Sequence, residues 1–156
     1  ASVITTYMTT TLNTRLRPTL LNDLSPGTRV VAHDFNMGSW KADRYVEVDD
    51  HSVYLWIVPA TIEGRWYWKV NGKSFTMNVN QTFQEIRLKV IAGGSPLKIE
   101  ESTLSGERLN FIAINPNNGK RYAYHGVVEG ITIGGIVQIH NGKEKRIESW
   151  SASLYK

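Results

Sequence analysis

The sequence predicts an α+β fold in which β-structure predominates, and three features carry that prediction. A leucine-spaced helical stretch lies between two β-rich runs near the start. From Gly64 onward the chain alternates apolar and polar residues in short segments. Turn-forming pairs such as Asn71-Gly72 and Asn141-Gly142 separate those segments at hairpin spacing.

Residues 2–8, "SVITTYM", are β-branched and aromatic and read as a strand. In the following "TTTLNTRLRPTLLNDLSPG", Leu12, Leu16, Leu20 and Leu24 recur every fourth residue, the spacing of one helix face. Thr10 or Thr11 suits the cap. Pro18 interrupts the pattern; lacking a backbone donor, it should kink the helix or restart it with proline in the first turn. Pro26-Gly27 then stops it. "TRVVAHDF", 28–35, is a second strand, and strand, helix, strand in so few residues is a βαβ unit whose right-handed crossover makes the strands parallel. "DRYVEV" and "SVYLWIVPA", joined by "DDH", read as an antiparallel pair, and Val53–Val58 is apolar on both faces as a central, covered strand requires.

Eight further strands follow: "RWYWKV", "KSFTMNV", "QEIRLKVI", "LKIEESTLSG", "RLNFIAI", "KRYAYHGVV", "ITIGGIVQI" and "RIESWSASLY". At this spacing they form an antiparallel meander, closed as a barrel or curled as a sheet. The change of pattern divides the chain into residues 1–62 and 63–156.

With 156 residues, 41% of them hydrophobic, and five Trp and seven Tyr, the chain has enough apolar side chains for a packed core. There is no Cys, so disulfides, thiolate metal sites and Cys nucleophiles are excluded. No run of about 18 apolar residues and no basic-then-apolar leader occur, so the expectation is a soluble, cytoplasmic protein without membrane association. The β-branched run beginning at the second residue, with no initiator Met, suggests processing or truncation. Residues 1–60 hold five Lys/Arg against six Asp/Glu and residues 61–156 hold thirteen against eight, placing the net charge of +4 in the second part. Spread-out cations of this kind suit a solvated face better than a nucleic-acid site.

The segment "LNTRLRPTLLNDLSPGTRVVAHDFNMGSW", followed by "VYLWIVPA", resembles the C-terminal portion of bacterial class I S-adenosylmethionine-dependent methyltransferases that carry a β-rich tail. In that family a helix ending in Leu-x-Pro-Gly leads into the fifth strand of a Rossmann-like sheet, and "LSPGTRVV" has that form. The resemblance implies that residues 1–62 are part of such a sheet, starting near its fourth strand, and that S-adenosylmethionine is the methyl donor. It also implies that the main cofactor loop is absent: neither G-x-G-x-x-G nor D-x-G-x-G occurs. An apolar sheet edge would then require either the missing half or self-association to cover it. The acceptor would be a small molecule or a protein, and the chain alone would have little activity.

The densest group of reactive side chains is His33, Asp34, Asn36 and Trp40 in "GTRVVAHDFNMGSW". Ligands of open α/β sheets gather beyond the carboxyl ends of parallel strands, where Tyr7 and His33 both fall. By resemblance, Thr5 would touch the cofactor and Thr6, Tyr7, Asn36 and Trp40 the acceptor. His33 or Asp34 would take a proton from an acceptor amine, with Tyr7 or Trp40 holding a cation against its ring. The competing reading makes His33 and Asp34 caps of the strand end and Trp40 a packing lid. No pair among His33, His51, His125 and His140 has sequence spacing typical of zinc ligands, and no serine lies in a G-x-S-x-G elbow. Alternation places Glu100 and Glu101 on opposite faces of their strand, poorly arranged for paired acid and base work. Trp66 and Trp68 should point into the meander with Tyr67 outward, either as core or as the lining of a small-ligand pocket. The latter would make the chain a non-enzymatic β-barrel module binding a small ligand or a protein.

Overall fold

The computed structural model describes residues 2–155. The contacts divide the chain into two compact units, one reaching to Ala60 and the other beginning at Thr61.

The first unit contains β1 (Val3–Thr6), α1 (Thr10–Asp23), β2 (Arg29–His33), β3 (Arg44–Val48) and β4 (His51–Ile57). The sheet order is β1-β2-β4-β3. β1 and β2 run parallel, from Val3 beside Arg29 to Thr6 beside Ala32, as the βαβ reading requires. β4 is antiparallel to both β2 and β3. Because side chains alternate along a strand, Val30, Ala32 and Trp56 share one face, and all three are fully buried. Trp40 joins them: its ring lies 6.0 Å from that of Trp56, whose Nε1 donates to the Trp40 carbonyl at 2.8 Å. Each indole removes roughly 150–250 Å² from water, which at about 25 cal/mol per Å² gives an upper bound of roughly 4–6 kcal/mol.

Four expectations need correction in this unit. α1 runs uninterrupted through Pro18 rather than restarting there. Its cap is Thr9, one residue before the two threonines expected, and the Thr9 hydroxyl accepts from the Leu12 N–H at 3.5 Å. The leucine stripe is only partly inward: Leu20 is buried, Leu12 is 46% exposed, and Asn13 is fully buried. β2 also stops at His33, two residues early, because Asp34 adopts φ 62° and leaves the extended region.

The second unit is a closed barrel of β5 (Gly64–Val70), β6 (Lys73–Thr82), β7 (Glu85–Ala92), β8 (Ser95–Ser105), β9 (Arg108–Ile114), β10 (Arg121–Glu129), β11 (Thr132–Asn141) and β12 (Glu144–Leu154). Each strand pairs antiparallel with the next. β12 returns to β5 through Ser153 beside Tyr67 and Leu154 beside Trp66. Closure removes the unpaired edge that an open meander would expose.

Asn71 and Gly72 form the tight turn between β5 and β6, both at positive φ (49° and 74°). At the β11–β12 hairpin the turn is one residue later than predicted. Asn141 pairs with Glu144, and Gly142, at φ 63°, begins the turn with Lys143. A bulge in β8 overturns another expectation: Ile99 pairs with Ala113 and Glu101 with Ile112, leaving Glu100 as the extra residue. Both glutamates are consequently exposed, despite the alternation.

Inside the barrel, Trp66 and Trp68 are buried and Tyr67 is exposed on the outside, as alternation predicts. Trp68 stacks on Phe75 at 5.4 Å, Phe111 on Tyr124 at 4.5 Å, and the Tyr124 ring meets Trp150 edge-on at 4.9 Å. Trp68 Nε1 donates to the Tyr124 hydroxyl at 3.3 Å, and burial pushes that hydroxyl's pKa up. The aromatic layer thus packs ring against ring as a core. Among the described residues no helix is long and apolar enough to cross a membrane.

Candidate active site at the strand ends

The site lies at the carboxyl ends of β1 and β2 in the first unit. Thr5 and Tyr7 fall on the same sheet side as Val31 and His33, because Thr5 pairs with Val31 in the parallel register. Tyr7 is 75% exposed, and its ring sits 4.8 Å from the His33 imidazole. Thr6 points to the other face, where it is buried beside Ala32 and its hydroxyl has no hydrogen-bond partner among the described residues.

Antiparallel pairing of β2 with β4 supplies a further group. His33 lies opposite Val53, so His51, two residues before Val53, shares its face. The two imidazole rings are 4.8 Å apart. Asp34 sits between them: Oδ2 is 3.2 Å from His33 Nδ1 and 3.0 Å from His51 Nδ1. Its other oxygen, Oδ1, accepts from the Ser52 N–H at 2.8 Å, and its own N–H donates to the Ser52 carbonyl at 2.7 Å. The hydrogen bond from His51 and that from Ser52 hold the Asp34 carboxyl below its usual range, so it is ionised at neutral pH. His33, Asp34 and His51 together present three donor atoms within 4.8 Å of one another.

The loop behind this cluster is fixed by α1. Asn13 Nδ2 donates to the carbonyls of Met8 (3.2 Å), Phe35 (3.1 Å) and Asn36 (3.4 Å), tying the ends of both parallel strands to the helix. Arg17 Nη1 donates to the Met37 carbonyl at 3.0 Å and to Ser39 Oγ at 3.1 Å. Gly38, at φ 66°, passes close to α1: a Cβ there would lie 3.3 Å from Thr14 Oγ1.

Of the residues predicted for the site, the structure brings Tyr7, His33 and Asp34 together. Thr5 is on the same face of β1 and is exposed. Asn36 is exposed and turns back on its own loop, its Oδ1 accepting from the Gly38 N–H at 3.0 Å. Trp40 is not part of the cluster; it is fully buried against Trp56. Sequence reading missed His51 and Asn13. His51 is seventeen residues from Asp34, and only the β2–β4 register reveals their contact. Asn13 is one of several polar residues along α1, and nothing in the sequence marks it as the buried one.

No family model matches the sequence. The chain is 39% identical over 62 residues to a protein-lysine N-methyltransferase of Saccharolobus islandicus, an alignment covering 37% of this chain and 38% of that protein. The chain therefore spans well under half the length of this curated relative. Among solved structures, it is similar to an RNA methyltransferase from Salinibacter ruber crystallised with S-adenosyl-L-homocysteine. The identity is 48%, the coverage 40% of each chain, and the TM-score 0.39.

Proposed function

We propose that the first unit is the acceptor-side part of an S-adenosylmethionine-dependent methyltransferase whose acceptor is a protein lysine amine. The observation that carries this reading is the cluster of Tyr7, His33, Asp34 and His51 at the carboxyl ends of two parallel strands. That is where open α/β sheets place their ligands. The similarity to a protein-lysine N-methyltransferase supports it and points to the acceptor class.

A lysine amine is protonated at neutral pH and must lose its proton before nitrogen can attack a methyl carbon. The exposed Tyr7 ring offers a π face to the incoming ammonium. His33, against that ring, takes the proton, and the ionised Asp34 stabilises the resulting imidazolium. His51 and the Ser52 N–H orient Asp34. S-adenosylmethionine supplies the methyl group as a sulfonium substituent open to in-line displacement, so the protein's share of catalysis is mostly positioning.

The residues present suit the acceptor better than the cofactor. No G-x-G-x-x-G or D-x-G-x-G loop occurs in the sequence, and Thr5 is the residue that the family resemblance offers to the cofactor. The cofactor-binding segment is therefore supplied from outside this stretch of chain. Calorimetric titration with S-adenosylhomocysteine tests this division: residues 1–156 alone should give no tight binding. A tight one-to-one complex would overturn it.

A further inference from the structure

We infer that His33, Asp34 and His51 form a binding site for a divalent first-row transition metal ion, with zinc the natural choice. The ligands are His33 Nδ1, His51 Nδ1 and Asp34 Oδ2. Two ligand atoms about 2.1 Å from one metal lie roughly 2.9–3.4 Å apart in octahedral or tetrahedral geometry. The separations of Oδ2 from the two ring nitrogens are 3.2 Å and 3.0 Å. One ligand atom from each of the three residues lies within 4.8 Å of the others, and His51, 57% exposed, has room to turn its ring toward the ion.

The hydrogen bonding favours a metal over a purely structural cluster. His33 Nδ1 is buried and has no hydrogen-bond partner among the described residues, although it is only 3.2 Å from Asp34 Oδ2. The approach is close but the alignment is wrong for N–H···O, whereas a cation between the two atoms requires only their lone pairs. Asp34 is already oriented for that role. The Ser52 N–H occupies Oδ1, and the left-handed backbone at φ 62° turns the carboxylate back between the imidazoles. Such outer hydrogen bonds set the direction of metal-binding carboxylates.

Two imidazoles and one carboxylate, with no thiolate anywhere in the chain, match zinc, nickel or cobalt rather than calcium or copper(I). Three protein ligands leave an open position on the solvent side, where Tyr7 is exposed. If the lysine methyltransferase reading holds, metal binding also regulates it, because the ion takes the lone pair that His33 needs as a base; binding itself does not depend on that reading.

The test uses the untagged chain, titrated with Zn²⁺ by calorimetry and with Co²⁺ followed by its visible absorption. One ion should bind per chain. His33→Ala, Asp34→Asn and His51→Ala should each weaken binding at least about tenfold. His125→Ala and His140→Ala, which alter barrel histidines, should leave it unchanged. His51 is mostly exposed, so its variant should fold normally, as checked by circular dichroism. Failure to bind either ion, or binding that survives His51→Ala, would overturn the site. Metal binding together with a tight S-adenosylhomocysteine complex of residues 1–156 would instead overturn the proposed functional division and leave the metal site standing.

Discussion

Asp34 concentrates the design of the site in one residue. Its φ of 62° suits Asp or Asn and few other side chains. Its carboxylate accepts from His51 and Ser52, and these bonds hold its pKa below the ordinary 3.8. A depressed folded-state pKa contributes stability that is complete above 3.8 and lost as pH falls through the lower folded value. Asp34→Asn keeps the backbone preference and removes the charge. Its melting temperature should fall below that of the parent at pH 7, and the gap should close in strong acid; a gap independent of pH would show that the charge contributes nothing. Asn13 does a different task, satisfying three carbonyls from full burial. Asn13→Ala removes their shared donor and should lower stability by about 2 kcal/mol in urea unfolding, with a matching rise in amide exchange across residues 35–40.

Among the elements, the β10–β11 pair is the most constrained by side-chain absence. Gly126 lies opposite Gly135, and a Cβ at Gly135 would come 2.0 Å from the His125 carbonyl oxygen. At Gly126 it would strike the Trp150 ring at 2.7 Å and Ile133 at 2.8 Å. Backbone cannot yield as a flexible side chain can, so Gly135→Ala should destabilise the barrel by about 3 kcal/mol. Gly134→Ala is the control: its nearest neighbour would be 3.8 Å away, and stability should change by less than about 0.5 kcal/mol. Equal effects at the two positions would refute the close approach. α1 teaches the complementary lesson. Thr9, rather than Thr10 or Thr11, caps it, and tertiary packing carries the helix through Pro18 despite that residue's missing donor.

Across the molecule, what could be read in advance followed from local rules. Each barrel strand pairs with its sequence neighbours, so period-two alternation and turn residues were enough to predict the meander. Where one residue changed the register, at the Glu100 bulge and the Gly142-Lys143 turn, alternation pointed the wrong way or the turn was misplaced. The site was legible to the same extent. His33 and Asp34 stood out at the end of an apolar strand, but His51 reaches them through the β2–β4 pairing, which no short motif encodes. Trp40 looked like a binding residue because it closes a polar loop; its indole instead completes the core beneath. On the function proposed above, what unites the strand-end residues is transfer of a methyl group to an amine that His33 deprotonates. The most direct measurement is the rate of labelled methyl transfer from S-adenosylmethionine to a lysine-bearing protein, using the full-length gene product. His33→Ala should lower kcat by about a hundredfold or more, the usual contribution of a general base, with KM for the methyl donor unchanged. An unaltered kcat in that variant would contradict the assignment.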